Sequence, residues 1–497
     1  MDDDLPQRLG IAEDDWARTH ASVQAVVRAL VQVVQDQQRQ LQVALDQIAT
    51  LQQRVADLEA RLKQHSGNSS KPPSSDPPSA PPRPARVPRG RQAGGQPGHP
   101  RHERPSPEPD HIDAVRDHFP SECPSCQTGL ADRRQDACLP QIQFAWELPE
   151  VRPFITAHHY HTVCCPGCGG LVTAERPADV GPGAFGARAA AGVTLLHGEY
   201  HLSNRAVRRL LADFFGFPIS LGGVVALQQV ASAALAPVYQ IIQAVVQHQE
   251  RANLDETGWK EGGQKRWLWT MVTDVATCLL VHPSRAGPAL RQLLGEGYSG
   301  IVTSDRHRPY LSLDPARHQL CWSHLIRNFQ GLVDRGGRLA LWGADFVALG
   351  ELVFALWHRY RDGAIDRATL QAAMAPIQEV FHALLVTGSR RADAPEGMCA
   401  ELLVHEAALW TFVREERVEP TNNAAERALR SAVLWRKGCF GTQSAAGSQF
   451  VERILRVSAT CRVQQRHLLT FVTEAIRALW AGGPAPILVP LPLPSPP

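Results

Sequence analysis

No run of eighteen apolar residues occurs in this 497-residue chain, and its start, MDDDLPQRLG, lacks the basic and then apolar pattern of a secretory signal. Those absences argue against a helical membrane protein and a secreted one, and a cytoplasmic protein with no membrane partner is expected. Net charge is nearly absent as well. The 51 Lys and Arg against 49 Asp and Glu leave +2, so any electrostatic case for a polyanionic partner must be local. What is present is apolar content of 44%, enough for at least one large core and several domains, which excludes disorder of the whole. Eleven cysteines in a reducing compartment point to metal ligands or buried small hydrophobes rather than disulfides.

From Val23 to Leu62 a single heptad register runs through Leu30, Val34, Leu41, Ile48, Leu51, Val55 and Leu58, the pattern of a coiled-coil seam. An amphipathic helix packed on its own protein is the alternative. The helix, expected over 20–66, ends in HSGNSSKPPSSDPPSAPPRP, too rich in Pro and Ser to bury a core, so 67–115 reads as a disordered linker. Within it Arg83, Arg86, Arg89, Arg91, Arg101 and Arg104 face only Glu103, which suits either contact with phosphates or a solvated tether. Cys123 and Cys126 in ECPSCQ, then Cys165 and Cys168 in CCPGCGG, have the spacing of two knuckles closing one structural Zn2+ site, and 116–175 reads as a small zinc-binding module. Cys164 adjoins the second pair and Cys138 is a spare. Over 183–245, SNRAVRRLLADFFG, the turn FPIS and LGGVVALQQVAS outline a helix-turn-helix-like region, with Arg205, Arg208 and Arg209 able to touch phosphates.

From Asn253 the chain changes to strands: NLDETGW, KRWLWTMVTD and ATCLLVHP, then a helix at GPALRQLLGEG, a strand at GIVTSD, and HQLCWSH as a strand running into a helix. Three strands, a helix, a strand, a helix and a strand match a ribonuclease-H-like fold. Such a fold would make Asp255, in the first strand, a neighbour of Asp305, at the end of the fourth. Residues 331–419 read as a helical insertion between the first part of this core, 250–330, and its C-terminal helices, 420–480; a Pro-rich tail covers 481–497. Thr421 or Asn422 can cap the helix that carries Glu426 in its first turns. Three such carboxylates can hold a pair of Mg2+ ions, which Mn2+ could replace. Residues 421–466 are also rich in Arg, with Arg427, Arg430, Arg436, Lys437, Arg453 and Arg456 among them as a phosphate-facing surface.

Each acid alone has an ordinary explanation, a turn residue for the aspartates or an i,i+4 partner of Arg430 for Glu426, so only the joint pattern carries weight. Strand alternation would turn Glu256 to the opposite face from Asp255, and Glu452 is a rival third ligand. Cys321 and His324 in CWSH cannot make a complete zinc site by themselves, which leaves packing and hydrogen bonding as their expected role. Trp322 and Trp435 could stack on a frayed base or lie in the core.

The segments LDETGW, SDRHRPY, HQLCWSHLIRNF, EPTNNAAERALRSAVLWRKGCFGT and FVERILRVSATCR resemble the IS66 family of bacterial insertion-sequence transposases. HSGNSSKPPSSD after a zipper-like helix, and CPSC with CPGCG ahead of the core, are similar to that family too. The resemblance implies a multidomain α/β protein with a ribonuclease-H-like core, a leucine zipper and a zinc module. It also implies metal-dependent cleavage at element ends and strand transfer into target DNA, with Asp255, Asp305 and Glu426 as the triad. No Ser or Tyr motif suggests a covalent protein–DNA intermediate. The expected partners are DNA, further copies through the N-terminal helix, and accessory proteins of the same element, at the bacterial nucleoid. A catalytically inactive DNA-binding regulator and a nuclease without strand transfer are the alternatives.

Overall fold

A computed structural model describes residues 5–69, 106–130, 141–391 and 394–490. The linker arginines at 83–104, Cys138 and the last residues of the Pro-rich tail lie outside the described residues. The chain is mixed α/β. It opens with α1 (Leu5–Arg8), α2 (Glu13–Arg18) and α3 (Ala21–Leu62). At 42 residues α3 is about 63 Å long. Its expected seam faces solvent, with Leu30, Leu41, Ile48 and Leu58 all at least half exposed. Immediately after it, Asn68 is buried and donates through Nδ2 to Asp334 Oδ2 at 2.8 Å.

A small hairpin, β1 (Thr162–Cys164) and β2 (Leu171–Thr173), precedes three helices, α4 (Ala187–Gly198), α5 (Asn204–Phe215) and α6 (Leu221–Val246). Sequence sets the borders of α5 and α6. The Ser203 and Ser220 hydroxyls accept the Ala206 and Gly223 N–H groups at the two N-termini, and Gly216, with φ +55°, ends α5 in the left-handed region. By length and hydropathy α6 and the later α9 (Gly337–Arg361) could each cross a membrane, although neither contains eighteen uninterrupted apolar residues. Both have folded-core partners: Leu235, Val238 and Ile242 of α6, and Phe346 and Val353 of α9, are buried within the protein.

The central sheet is built from β3 (Arg251–Glu261), β4 (Gln264–Val272), β5 (Thr277–His282), β6 (Ile301–Ser304) and β7 (His318–Leu320) in the order β5-β4-β3-β6-β7. The first three are antiparallel; β6 runs parallel to β3, and β7 parallel to β6. Gly262 and Gly263, both at positive φ, close the β3–β4 hairpin as a two-residue turn whose twist matches the strands. Helix α7 (Gly287–Leu294) returns the chain from β5 to β6. The second connecting helix expected before β7 is absent: two 3-10 turns, Tyr310–Ser312 and Pro315–Arg317, fill that link, and Pro309 and Pro315 interrupt longer helical bonding.

Helix α8 (Trp322–Arg335) leads into α9, α10 (Arg367–Gly388), α11 (Glu396–Val404) and α12 (Thr411–Arg414). These build a second core around Trp322, Phe329, Phe346, Phe381 and Phe412. The chain then rejoins the sheet through α13 (Asn423–Cys439), α14 (Ala445–Val463) and α15 (Leu468–Ala481).

Both sheet edges are occupied by side chains. Glu452, Arg456 and Thr460, one turn apart on α14, lie along β5: Glu452 Oε1 accepts the Val281 N–H at 2.5 Å, Arg456 Nη2 donates to the Leu279 carbonyl at 2.6 Å, and Thr460 Oγ1 accepts the Thr277 N–H at 3.2 Å. Arg456 is fully buried, its guanidinium 3.4 Å from the Tyr239 ring centroid and bonded to the Tyr239 carbonyl. At the far edge Thr411 Oγ1 donates to the His318 carbonyl, and the Phe412 N–H to Gln319 Oε1. This corrects two sequence expectations. Arg456 is a core residue rather than a phosphate-facing one, and Glu452 is committed to β5, two strands from β3, and not to the carboxylates.

Candidate active site

The parallel register of β3 and β6 pairs Asn253 with Thr303. Asp255 lies two residues beyond that pair on β3, and Asp305 two residues beyond it, just past the end of β6, so the register brings both acids to the same end of neighbouring strands. Burial raises the Asp255 carboxyl well above the usual carboxylate range, and the charges of Glu256, Asp305 and Glu426 raise it further. Asp305 is pushed up to about 6, by burial first and then by Glu256, against the pull of the His307 N–H and of Arg285 and Arg327. The His307 N–H donates to Asp305 Oδ1 at 2.9 Å, and the Glu256 N–H to Asp255 Oδ1 at 2.9 Å.

Glu256 is buried, and the sequence reading gave it no function. Its Oε1 accepts from Arg285 Nε at 2.9 Å, and its Oε2 from the Tyr310 hydroxyl at 2.5 Å. His307 Nδ1 lies 3.4 Å from the same carboxylate. Tyr310 is fully buried, so SDRHRPY folds back over β3 and fixes the backbone around Asp305. The signal for this was Tyr310 itself, an aromatic five residues beyond the acid in an otherwise polar turn.

Asn422 brings the third acid. It stands at the N-cap position of α13, as expected, yet its side chain does not cap its own helix. Its Nδ2 donates to the Leu254 carbonyl at 2.6 Å, and its Oδ1 accepts from Asn253 Nδ2 at 3.3 Å, while its N–H donates to Cys321 Sγ at 3.2 Å. The start of α13 is thereby fastened beside Asp255, with Glu426 in its first turn. Glu426 Oε1 lies 3.7 Å from both His324 Nε2 and Arg327 Nη2, and its side chain is 40% exposed. Burial pushes His324 down to about 3, so the imidazole beside Glu426 is neutral near pH 7. Burial pushes the Cys321 thiol up to about 11, which makes it a neutral acceptor for the Asn422 N–H. Cys321 thus packs and accepts a hydrogen bond, as expected, whereas the His324 ring is largely buried beside Glu426 with its Nδ1 unpartnered among the described residues. Trp322 and Trp435 are both buried, and Trp322 Nε1 donates to the Leu409 carbonyl, so neither can stack on a base.

Among the described residues no three His, Cys, Asp or Glu side chains are gathered closely enough to hold a metal ion. The donor chemistry nevertheless suits a hard cation. Two carboxylates at the same end of adjacent strands, both raised in pKa, are a charge arrangement that a divalent cation would relieve.

The cysteine pairs form two matching turns. The Cys123 N–H donates to the Thr128 carbonyl with Gln127 at φ +57°, and the Cys165 N–H to the Gly170 carbonyl with Gly169 at φ +72°. Thr128 lowers the Cys126 thiol, and the backbone N–H of Cys168 lowers Cys165. Each turn fits half of a zinc site, but the four sulfurs are not brought together.

Arg205, Arg208 and Arg209 are exposed and line a groove with Ser203, Phe217 and Ser220 at the α5–α6 turn. Arg427, Arg430 and Lys437 are exposed along α13. Arg436 is engaged differently: half-buried, its Nη1 donates to Thr257 Oγ1 at 3.1 Å and to the Gly258 carbonyl.

Residues 182–450 match the profile of the family described as "Transposase IS66 family", and residues 16–105 match a family of unknown function, DUF6444. Three uncharacterized proteins of Sinorhizobium fredii (strain NBRC 101917 / NGR234) are similar over part of their length. Protein y4qI is 27% identical over 250 residues, covering 44% of this chain and 45% of its own. Protein y4hP is 26% identical over 269 residues, 47% and 48% of the two chains, and y4jD is 26% identical over 244 residues, 43% and 47%. The chain thus spans about half the length of the curated relatives it matches.

Proposed function

The chain belongs to the IS66 family of transposases, whose profile covers residues 182–450, and on that footing we propose that it cleaves DNA at the ends of an insertion sequence and joins them to target DNA by DDE chemistry. The observation that carries this reading is the arrival of Asp255 on β3 and Asp305 just past β6 at the same end of neighbouring strands, with Asn422 fastening the first turn of α13 beside them. A sheet of three antiparallel strands followed by two parallel ones, with acids on the first and fourth in chain order, supports a ribonuclease-H-like core.

Asp255, Asp305 and Glu426 would hold a pair of divalent cations, Mg2+ or Mn2+. When bound, the cations supply activation of a water or 3′-hydroxyl and stabilisation of the leaving oxygen. The chain's own residues prepare the site. Glu256, Arg285 and Tyr310 hold the Asp305 turn; Asn422 and Cys321 hold α13; and Arg327 sits 3.7 Å from Glu426, where a cation can also meet a phosphate. Arg205, Arg208 and Arg209, with Arg427, Arg430 and Lys437, are the proposed DNA contacts. Arg436 can assist only by releasing β3. Copies would associate through the exposed seam of α3, and Cys123, Cys126, Cys165 and Cys168 would share a structural zinc. The protein would act in the bacterial cytoplasm at the nucleoid, with accessory proteins of its element.

The test is Mg2+-dependent cleavage and joining of a labelled duplex carrying the element's own end, comparing wild type with Asp305→Asn and Glu426→Gln. Joined products that vanish in both variants while binding persists are the expected result. Nicks without joints would point to a nuclease, and binding with neither product to an inactive regulator.

A further inference from the structure

We propose that Phe440 is a stacking platform for an unpaired nucleobase of the bound DNA; the proposal rests on the DNA-transposase reading above. Phe440 ends α13 with φ +63° in the left-handed region, a position that Gly or Asn usually fills because a side chain costs about 1 kcal/mol or more there. Yet its ring makes no compensating burial: Phe440 is 76% exposed. A bulky aromatic in a strained conformation with its ring in water is unfavourable twice over, which asks for a ligand.

The platform is rigid. Gly441, at φ +114°, lies so close to β3 that a Cβ would come within 2.2 Å of the Lys260 carbonyl. The Thr442 N–H donates to that carbonyl at 2.9 Å, the Gly262 N–H donates to the Thr442 carbonyl at 2.9 Å, and Trp259 Nε1 donates to Thr442 Oγ1 at 3.2 Å. The turn carrying Phe440 is therefore bonded to the tip of the β3–β4 hairpin, and the ring is presented without a flexible stem.

Its surroundings suit a phosphate backbone better than a protein surface. Lys437 is exposed one turn before it, Lys260 and Lys265 are exposed on the hairpin, and the one acid at that tip, Glu261, is paired with Arg266 at 3.3 Å. Along α13 the exposed residues Arg427, Arg430 and Lys437 connect Glu426 to the ring, a distance of about 21 Å at 1.5 Å per residue. DNA whose reacting bond lies at Glu426 would reach Phe440 within about six nucleotides. An aromatic face interleaved with cations is the arrangement that stacks bases without regard to sequence.

The experiment uses the full chain and a duplex with a single-stranded tail carrying 2-aminopurine at successive tail positions, with the blunt duplex as reference. The wild type should quench the fluorescence at one or two positions. Phe440→Ala should abolish that quench and weaken tailed-duplex binding about tenfold relative to blunt, and Phe440→Trp should restore both. Phe440→Asn, which removes the ring and suits the left-handed backbone, should behave as the alanine variant does, separating loss of stacking from misfolding. An unchanged quench in Phe440→Ala and Phe440→Asn overturns the proposal, as does a change of oligomeric mass with the quench intact, which would assign the ring to a second copy. Failure of the wild type to bind either duplex would instead overturn the DNA reading, and this proposal with it.

Discussion

Replacing Asp305 by asparagine should stabilise the metal-free protein while destroying its activity. The carboxyl is pushed up to about 6 in the folded chain against an ordinary 3.8, because ionising it means charging a largely desolvated group beside Glu256. An acid raised in this way contributes stability that is fully present below pH 3.8 and is lost as pH rises through 6. Above pH 7 the loss amounts to about 3 kcal/mol, and near pH 5 to about half of that. An asparagine carbonyl oxygen can still accept the His307 N–H that Asp305 Oδ1 now accepts at 2.9 Å, so most of the packing survives the change. Unfolding of wild type and variant in EDTA should therefore show the variant ahead at pH 8 by up to about 3 kcal/mol, with the gap closing as pH falls. Added Mg2+ should narrow the gap from the other side, stabilising the wild type by about 2.7 kcal/mol at a hundredfold excess over its Kd and leaving the variant unmoved. A variant less stable than wild type at pH 8, or a gap independent of pH, would refute the view that the site is held together against its own charge.

Three further outcomes are expected. Arg456→Met should destabilise the protein by about 3–5 kcal/mol in denaturant unfolding, since it leaves the Leu279 and Tyr239 carbonyls buried without their donor and removes one of the two positive charges near Glu452. Leu41→Glu combined with Ile48→Glu should convert an oligomer to a monomer by light scattering with no change in the far-ultraviolet signature of the sheet, because both residues are exposed and remote from either core. Purified protein should carry one zinc per chain, and Cys165→Ser should release it; full retention of metal by that variant would exclude the four-cysteine site.

The five strands were legible from their Val, Leu, Thr and Trp runs, and the long α3 from its heptads, because each signal is local and periodic. The neighbourhood of β3 and β6, which brings Asp255 and Asp305 to one end of the sheet, was expected only through a topology, since no local pattern states that β6 lies beside β3. What escaped the sequence were roles decided by long-range contacts. Asn422 looked like an ordinary cap, but its side chain crosses to the Leu254 carbonyl, 168 residues away. Arg456 looked like one more cation in a basic segment, and only the folded chain places Tyr239 and β5 against it. The helix expected between β6 and β7 failed for a local reason, prolines at 309 and 315, that its composition already contained. Trp435 showed that an aromatic in a basic segment need not reach the surface, while Phe440 in the same stretch does.

The side-chain ladder of α14 along β5 also bears on how copies of this protein can crowd together. A bare outer strand is a template on which another chain can add its own, and that hazard grows with local concentration. With Glu452, Arg456 and Thr460 already occupying the outward backbone groups of β5, strand addition there would first have to displace a buried cation. That edge is thereby closed to a further strand, and any association of copies has to use another surface.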